Sequence, residues 1–124
     1  MKQLEYVNFS SNSLSSFPPI MGSPRLCCLL LHSNSLSSLP LMPRLPHLHT
    51  LDVACNQFES VPDLSSFPRL KFLDLSGNSK LTISKSSIKT LMYDSYIRVV
   101  ASQVHCVHDS NIPEAFIYTL VQCT

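Results

Sequence analysis

Apolar positions recur along this chain at fixed offsets. From residue 48 the sequence reads LHTLDVACNQFESVP, with apolar side chains at Leu48, Leu51, Val53, Phe58 and Val61 and Asn56 between the two groups. The same order stands upstream at Leu26, Leu29, Leu31, Asn34, Leu36 and Leu39, and before that at Leu4, Val7, Phe9, Asn12, Leu14 and Phe17. Downstream it returns as Leu70, Leu73, Leu75, Asn78 and Leu81. Asn12, Asn34, Asn56 and Asn78 therefore share one spacing of 22 residues. The connecting segments keep that register, with Ile20, Met42 and Leu64 in one row and Pro24, Pro46 and Pro68 in another. Alternate residues of an extended strand face opposite ways. Leu51 and Val53 should point inward, and Thr50, Asp52 and Ala54 outward. One such unit cannot bury its apolar side alone, so the units must stack on one another.

A short strand, an asparagine at the exit turn and a period within about 20–29 residues form the leucine-rich repeat signature. The chain resembles that family, which implies an α/β-type solenoid. The expected fold is a short right-handed coil of four 22-residue repeats over residues 1–91, with a parallel sheet on the concave side. A non-repeat tail, residues 92–124, should follow. The connecting segments are rich in proline, which lacks a donor and resists helix, so the convex side should carry loops and short 3₁₀ turns. Each asparagine amide can bond backbone groups that the bend would otherwise orphan, which makes the four asparagines structural.

After Asn78 the pattern changes, because Ser79 and Lys80 place Leu81 one residue later than in the other units. A short helix is expected over residues 84–91, with Ile88 and Leu91 on one face. The β-branched and aromatic stretch 96–101 and the alternating stretch 103–107 read as strands. Asn111, Pro113 and Glu114 form a helix start, with Ala115 to Cys123 continuing as an apolar helix. Such a unit needs to dock on the solenoid or to continue into something larger.

Composition removes several function classes. Net charge is +1 and 14% of residues are charged, without the basic stripe that nucleic-acid binding needs. No apolar run is long enough to span a bilayer. Only two glycines occur, Gly22 and Gly77, so a phosphate-cradling loop is not expected. No Ser-His-Asp constellation stands out. No catalytic residue, cofactor or small-molecule substrate is expected. The first residues, MKQLEYVNFSS, lack the apolar core of a secretory signal. Five cysteines (Cys27, Cys28, Cys55, Cys106 and Cys123) have no framework spacing, which points to reduced thiols in the cytosol or nucleus. Cys27 and Cys28 should face opposite ways, as should His105 and Cys106 of the His105–His108 stretch, so no metal site is expected. Asn8-Phe9-Ser10 matches a glycosylation sequon but falls in an expected strand.

The remaining candidate chemistry is recognition. The concave face is the usual binding face of a solenoid. By register it offers four columns: Glu5, Cys27, His49 and Lys71; Tyr6, Cys28, Thr50 and Phe72; Asn8, Leu30, Asp52 and Asp74; and Ser10, His32, Ala54 and Ser76. Mixed aromatic, aliphatic and acidic groups suit a protein partner. The candidate partner-binding residues are Tyr6, Asn8, Leu30, His32, Thr50, Asp52, Phe72 and Asp74.

Residues 69–91, RLKFLDLSGNSKLTISKSSIKTL, are similar to the last repeat of the PH-domain leucine-rich-repeat protein phosphatases. In that family an LDLSGN repeat with an irregular tail precedes a metal-dependent serine/threonine phosphatase domain. Cys106-Val107-His108-Asp109, followed by Leu120-Val121-Gln122-Cys123-Thr124, resembles the early catalytic segment. The resemblance makes Asp109 the counterpart of a metal-binding aspartate. Ser110 replaces the glycine that belongs beside it, and the other carboxylates that would hold two metals are missing. The resemblance thus implies the recognition part of a phosphatase-type signalling protein, or a truncated phosphatase with residual or no activity.

Overall fold

Four three-residue strands carry the repeat: β1 (Tyr6–Asn8), β2 (Cys28–Leu30), β3 (Thr50–Asp52) and β4 (Phe72–Asp74). They are seen in a computed structural model that describes residues 4–16, 23–39, 42–83, 98–100, 105–106 and 120–121, with side chains as far as residue 82. All three pairings among these strands are parallel. Tyr6 partners Cys28, Cys28 partners Thr50, and Thr50 partners Phe72. The 22-residue offset of the asparagines is therefore also the offset of the sheet register. A short parallel-strand sheet of this kind fits a solenoid.

The central residue of each strand is buried and its neighbours are not. Val7, Leu29, Leu51 and Leu73 point into the core, while the flanking residues are half-buried or exposed. Leu26, Leu31 and Leu36 join them from the second unit, Leu48, Val53 and Phe58 from the third, and Leu70, Leu75 and Leu81 from the fourth. Burying one such side chain contributes about 1.5–3 kcal/mol. In the first unit Leu4, Phe9 and Leu14 are only partly buried. Ala54, expected to face outward, is buried at 8% exposure, because its methyl group is too short to clear the surrounding chain.

Just before each asparagine the backbone turns left-handed. Ser11, Ser33, Cys55 and Gly77 have φ of 60°, 59°, 55° and 73°. The turn aims each amide at the next coil: Ser11 N–H donates to the His32 carbonyl, Ser33 N–H to that of Ala54, and Cys55 N–H to that of Ser76, at 2.7–3.0 Å. The asparagines then join adjacent coils. Asn56 accepts Leu36 N–H at 3.0 Å through Oδ1, and its Nδ2 donates to the carbonyls of Leu31, Val53 and Ala54. Asn34 and Asn78 repeat the arrangement, and all three are buried. Asn12 is exposed; its side chain donates to the carbonyls of Phe9 and Ser10 of its own coil, and its N–H donates to Asn34 Oδ1.

The connecting segments contain turns and bends. Among the described residues no helix is present, so the α component of the expected α/β class and the expected 3₁₀ turns are absent there. The hydrogen bonds give the reason. Leu26, Leu48 and Leu70 each donate to the residue three positions earlier, closing single turns with Pro24, Pro46 or Pro68 at the second position, where proline is favoured. A 3₁₀ turn would need the next amide to bond in the same way. Those amides belong to Cys27, His49 and Lys71, and they donate to the carbonyls of Glu5, Cys27 and His49 instead. Sheet formation thus cuts each turn short. Its first residue is buried, which makes Ser23, Leu45 and Phe67 a further core row.

The sheet does not stop at β4. β6 (Arg98–Val100) pairs in parallel with β4, and β8 (Leu120–Val121) in parallel with β6, giving six strands in the order β1-β2-β3-β4-β6-β8. The sheet therefore includes strands from beyond residue 91. β5 (Thr82–Ile83) and β7 (His105–Cys106) form a separate parallel pair. β6 and β7 fall inside the two stretches expected to be strands. The helix expected over residues 115–123 is not formed at Leu120–Val121, where pairing with Val99 and Val100 satisfies the backbone and overrides local propensity. The helix expected over 84–91 and the helix start at 111–114 lie outside the described residues.

Candidate partner-binding face of the sheet

The parallel register brings the outward-facing residues into rows. Tyr6, Cys28, Thr50 and Phe72 are direct partners across the four strands, as are Asn8, Leu30, Asp52 and Asp74. Backbone bonds continue the alignment at both ends. They link Glu5, Cys27, His49 and Lys71 on one side, and on the other the carbonyls of His32, Ala54 and Ser76 accept from Ser11, Ser33 and Cys55 of the preceding coil. The structure therefore brings all eight candidate residues onto one sheet face. Tyr6 is 55% exposed, the one large hydrophobic residue that is exposed among the described residues. Leu30, His32, Thr50, Asp52, Phe72 and Asp74 are half-buried, and Asn8 is exposed.

Three of the polar candidates also serve the backbone. Oδ1 of Asn8, Asp52 and Asp74 accepts the N–H two residues on, from Ser10, Ala54 and Ser76, at 2.9–3.0 Å. These bonds close the turn out of each strand. One side-chain oxygen of each of these candidate partner-binding residues is thus engaged within its own coil.

Asp52 sits among competing charges. Burial pushes its carboxyl above the ordinary aspartate value of 3.8. The bond from Ala54 N–H opposes the shift, Asp74 beside it adds to it, and His32 opposes it. His32 Nδ1 lies 3.2 Å from Ser33 Oγ.

A second side-chain row crosses β2 and β3. His49 Nδ1 is 2.7 Å from Thr50 Oγ1, and His49 Nε2 is 4.0 Å from Cys28 Sγ. The register already placed Cys28 beside Thr50, but nothing in the spacing showed that the His49 ring bridges them. Cys27 turns away, with its Sγ donating to the Arg25 carbonyl at 3.4 Å. Among the described residues no three His, Cys, Asp or Glu side chains converge as a metal site would require, and no helix is long and apolar enough to cross a membrane. The side chains of His105 and Cys106, together with His108 and Asp109, lie outside the described residues. A groove of about 460 Å³ lies among the connecting segments, bounded by Leu39, Met42, Phe58, Val61 and Asp63, and none of the eight face residues lines it.

Comparison with known protein families agrees with the geometry. The family described as Leucine Rich repeats (2 copies) matches residues 24–66 and again 46–89, and that described as Leucine Rich Repeat matches residues 3–23. No curated protein and no solved structure matches the chain. The matches run across the four strands, the four asparagines and the inward apolar rows, so this chain belongs to the leucine-rich repeat family.

Proposed function

We propose that the chain is a protein-interaction module that takes a partner on the outer, concave face of its sheet. Domains of this family commonly mediate protein–protein interaction. The observation that carries the reading is Tyr6, an exposed aromatic at the end of an aligned row that runs through Cys28 and Thr50 to Phe72. Tyrosine is among the residues that most often carry the binding energy of a protein interface. Tyr6, Leu30 and Phe72 supply apolar contact, and Asp52 and Asp74 supply charge. Capture of partners by the full chain is compared with that of a triple variant with Tyr6, Asp52 and Phe72 replaced by alanine. Loss of the captured protein supports the reading, and unchanged capture by a folded variant ends it.

The likeness of residues 69–91 to the phosphatase family supports a narrower version, in which the module recruits substrates or scaffolds for phosphatase signalling in the cytosol or nucleus. The free thiols of Cys27, Cys28 and Cys55 are consistent with a reducing compartment. Catalysis is the competing version and turns on Asp109. A phosphate-ester assay with manganese separates the two, because turnover above that of an Asp109→Ala control would favour the enzyme.

A further inference from the structure

We infer that Cys28 is a reactive thiol, activated by His49 and suited to covalent exchange with small disulfides. Three thiols are described, and their surroundings differ. Cys27 donates to a carbonyl oxygen, which cannot take its proton. Cys55 is the most exposed of the three and stands against Gly77. Cys28 alone faces a ring nitrogen, His49 Nε2, at 4.0 Å. The other ring nitrogen is held by Thr50 Oγ1 at 2.7 Å. In the tautomer that carries its hydrogen on Nδ1 and donates it to Thr50 Oγ1, the Nε2 lone pair is turned to the sulfur. A nucleophile, a base within reach and a third group that orients the base form the arrangement that activates side-chain nucleophiles. Contacts of this kind are often long until a reactant arrives.

The chemistry balances without a further reagent. The Cys28 S–H proton passes to His49 Nε2, and the sulfur attacks one sulfur of the incoming disulfide. The incoming S–S bond breaks as the new one forms. The departing thiolate takes the proton from His49 and leaves as a thiol. Cys28 is half-buried on the sheet face, so a small disulfide can reach it from solvent. This inference does not depend on whether a protein partner binds the same face.

The inference predicts an order of reactivity that exposure alone would reverse. The reduced full chain is treated with a limiting amount of oxidised glutathione, and all five cysteines are followed by peptide mass spectrometry. Cys28 should form its adduct about tenfold faster than Cys55. The gain is bounded because ordinary cysteine is already a few per cent thiolate near neutrality. His49→Gln should bring Cys28 down to the rate of Cys55 and leave Cys55 unchanged, and Thr50→Val should slow Cys28 by less. Reaction of Cys55 as fast as Cys28 in the unaltered chain overturns the inference, whatever the variants do. So does an unchanged Cys28 rate in a His49→Gln chain whose circular dichroism matches the parent.

Discussion

Gly77 is packed directly against Cys55 of the preceding coil. A Cβ atom at residue 77 would stand 2.8 Å from Cys55 Sγ and 3.3 Å from the Cys55 Cα and backbone nitrogen. Gly77 also has φ of 73°, where a side chain costs about 1–2 kcal/mol. Gly77→Ala should therefore destabilise the chain by about 2–4 kcal/mol once crowding is added. A second replacement, Cys55→Ala, should recover part of the loss by removing the sulfur. Thermal melts of the single and double variants measure this, and a double variant no more stable than Gly77→Ala would show that the sulfur contact is immaterial.

The asparagines should differ in worth although they look alike in sequence. Asn56→Ala removes one accepted and three donated bonds from a buried site and leaves backbone groups of two coils unsatisfied. The expected cost is about 2–4 kcal/mol. Asn12→Ala exposes its former partners to water and should cost less than about 1 kcal/mol. Urea titrations of the two variants compare them directly, and equal midpoints would contradict the role assigned to burial.

Asp52 should make stability depend on pH in a defined direction. Its pKa is raised by burial, so the folded state holds the proton more tightly than the unfolded chain. Between the ordinary value of 3.8 and the raised value, the folded state binds more protons, and stability falls as pH rises. The contribution is complete below that window and lost above it. Asp52→Asn retains an oxygen for Ala54 N–H and removes the charge. It should be more stable than the parent at neutral pH, with the difference shrinking as pH falls towards 4. Melting temperatures across that range supply the test, and a difference that grows on acidification would refute the assignment.

The buried turn row gives a pair of opposite effects. Phe67 is 3% exposed, and Phe67→Ala should cost about 3–5 kcal/mol. Ser23 occupies the same row at 1% exposure, and its Oγ is buried with no partner among the described residues. Ser23→Ala should raise stability by about 1 kcal/mol, because it removes an unsatisfied hydroxyl. Chemical denaturation of both variants checks the pair, and a destabilising Ser23→Ala would mean that the hydroxyl is satisfied in solution.

What the sequence determined by itself is the ladder. Strand centres at Val7, Leu29, Leu51 and Leu73, and the asparagines one turn later, were legible because each apolar position lowers the free energy by its own transfer from water and repeats at a fixed step. Strand alternation sets which residues flank the buried strand centres, although Ala54, expected to face outward, is buried. The tertiary structure decided everything that depends on which neighbour a group meets. The amides of Cys27, His49 and Lys71 bond the sheet instead of extending a 3₁₀ turn. Ser33 and Cys55 accept left-handed backbones because a carbonyl of the next coil waits for their N–H groups. Leu120 and Val121 form a strand, although their surroundings read as helix, because β6 offers an open edge. Local pattern records the preference of one segment, whereas hydrogen bonds between coils are made by two, and the second partner cannot be read from the first.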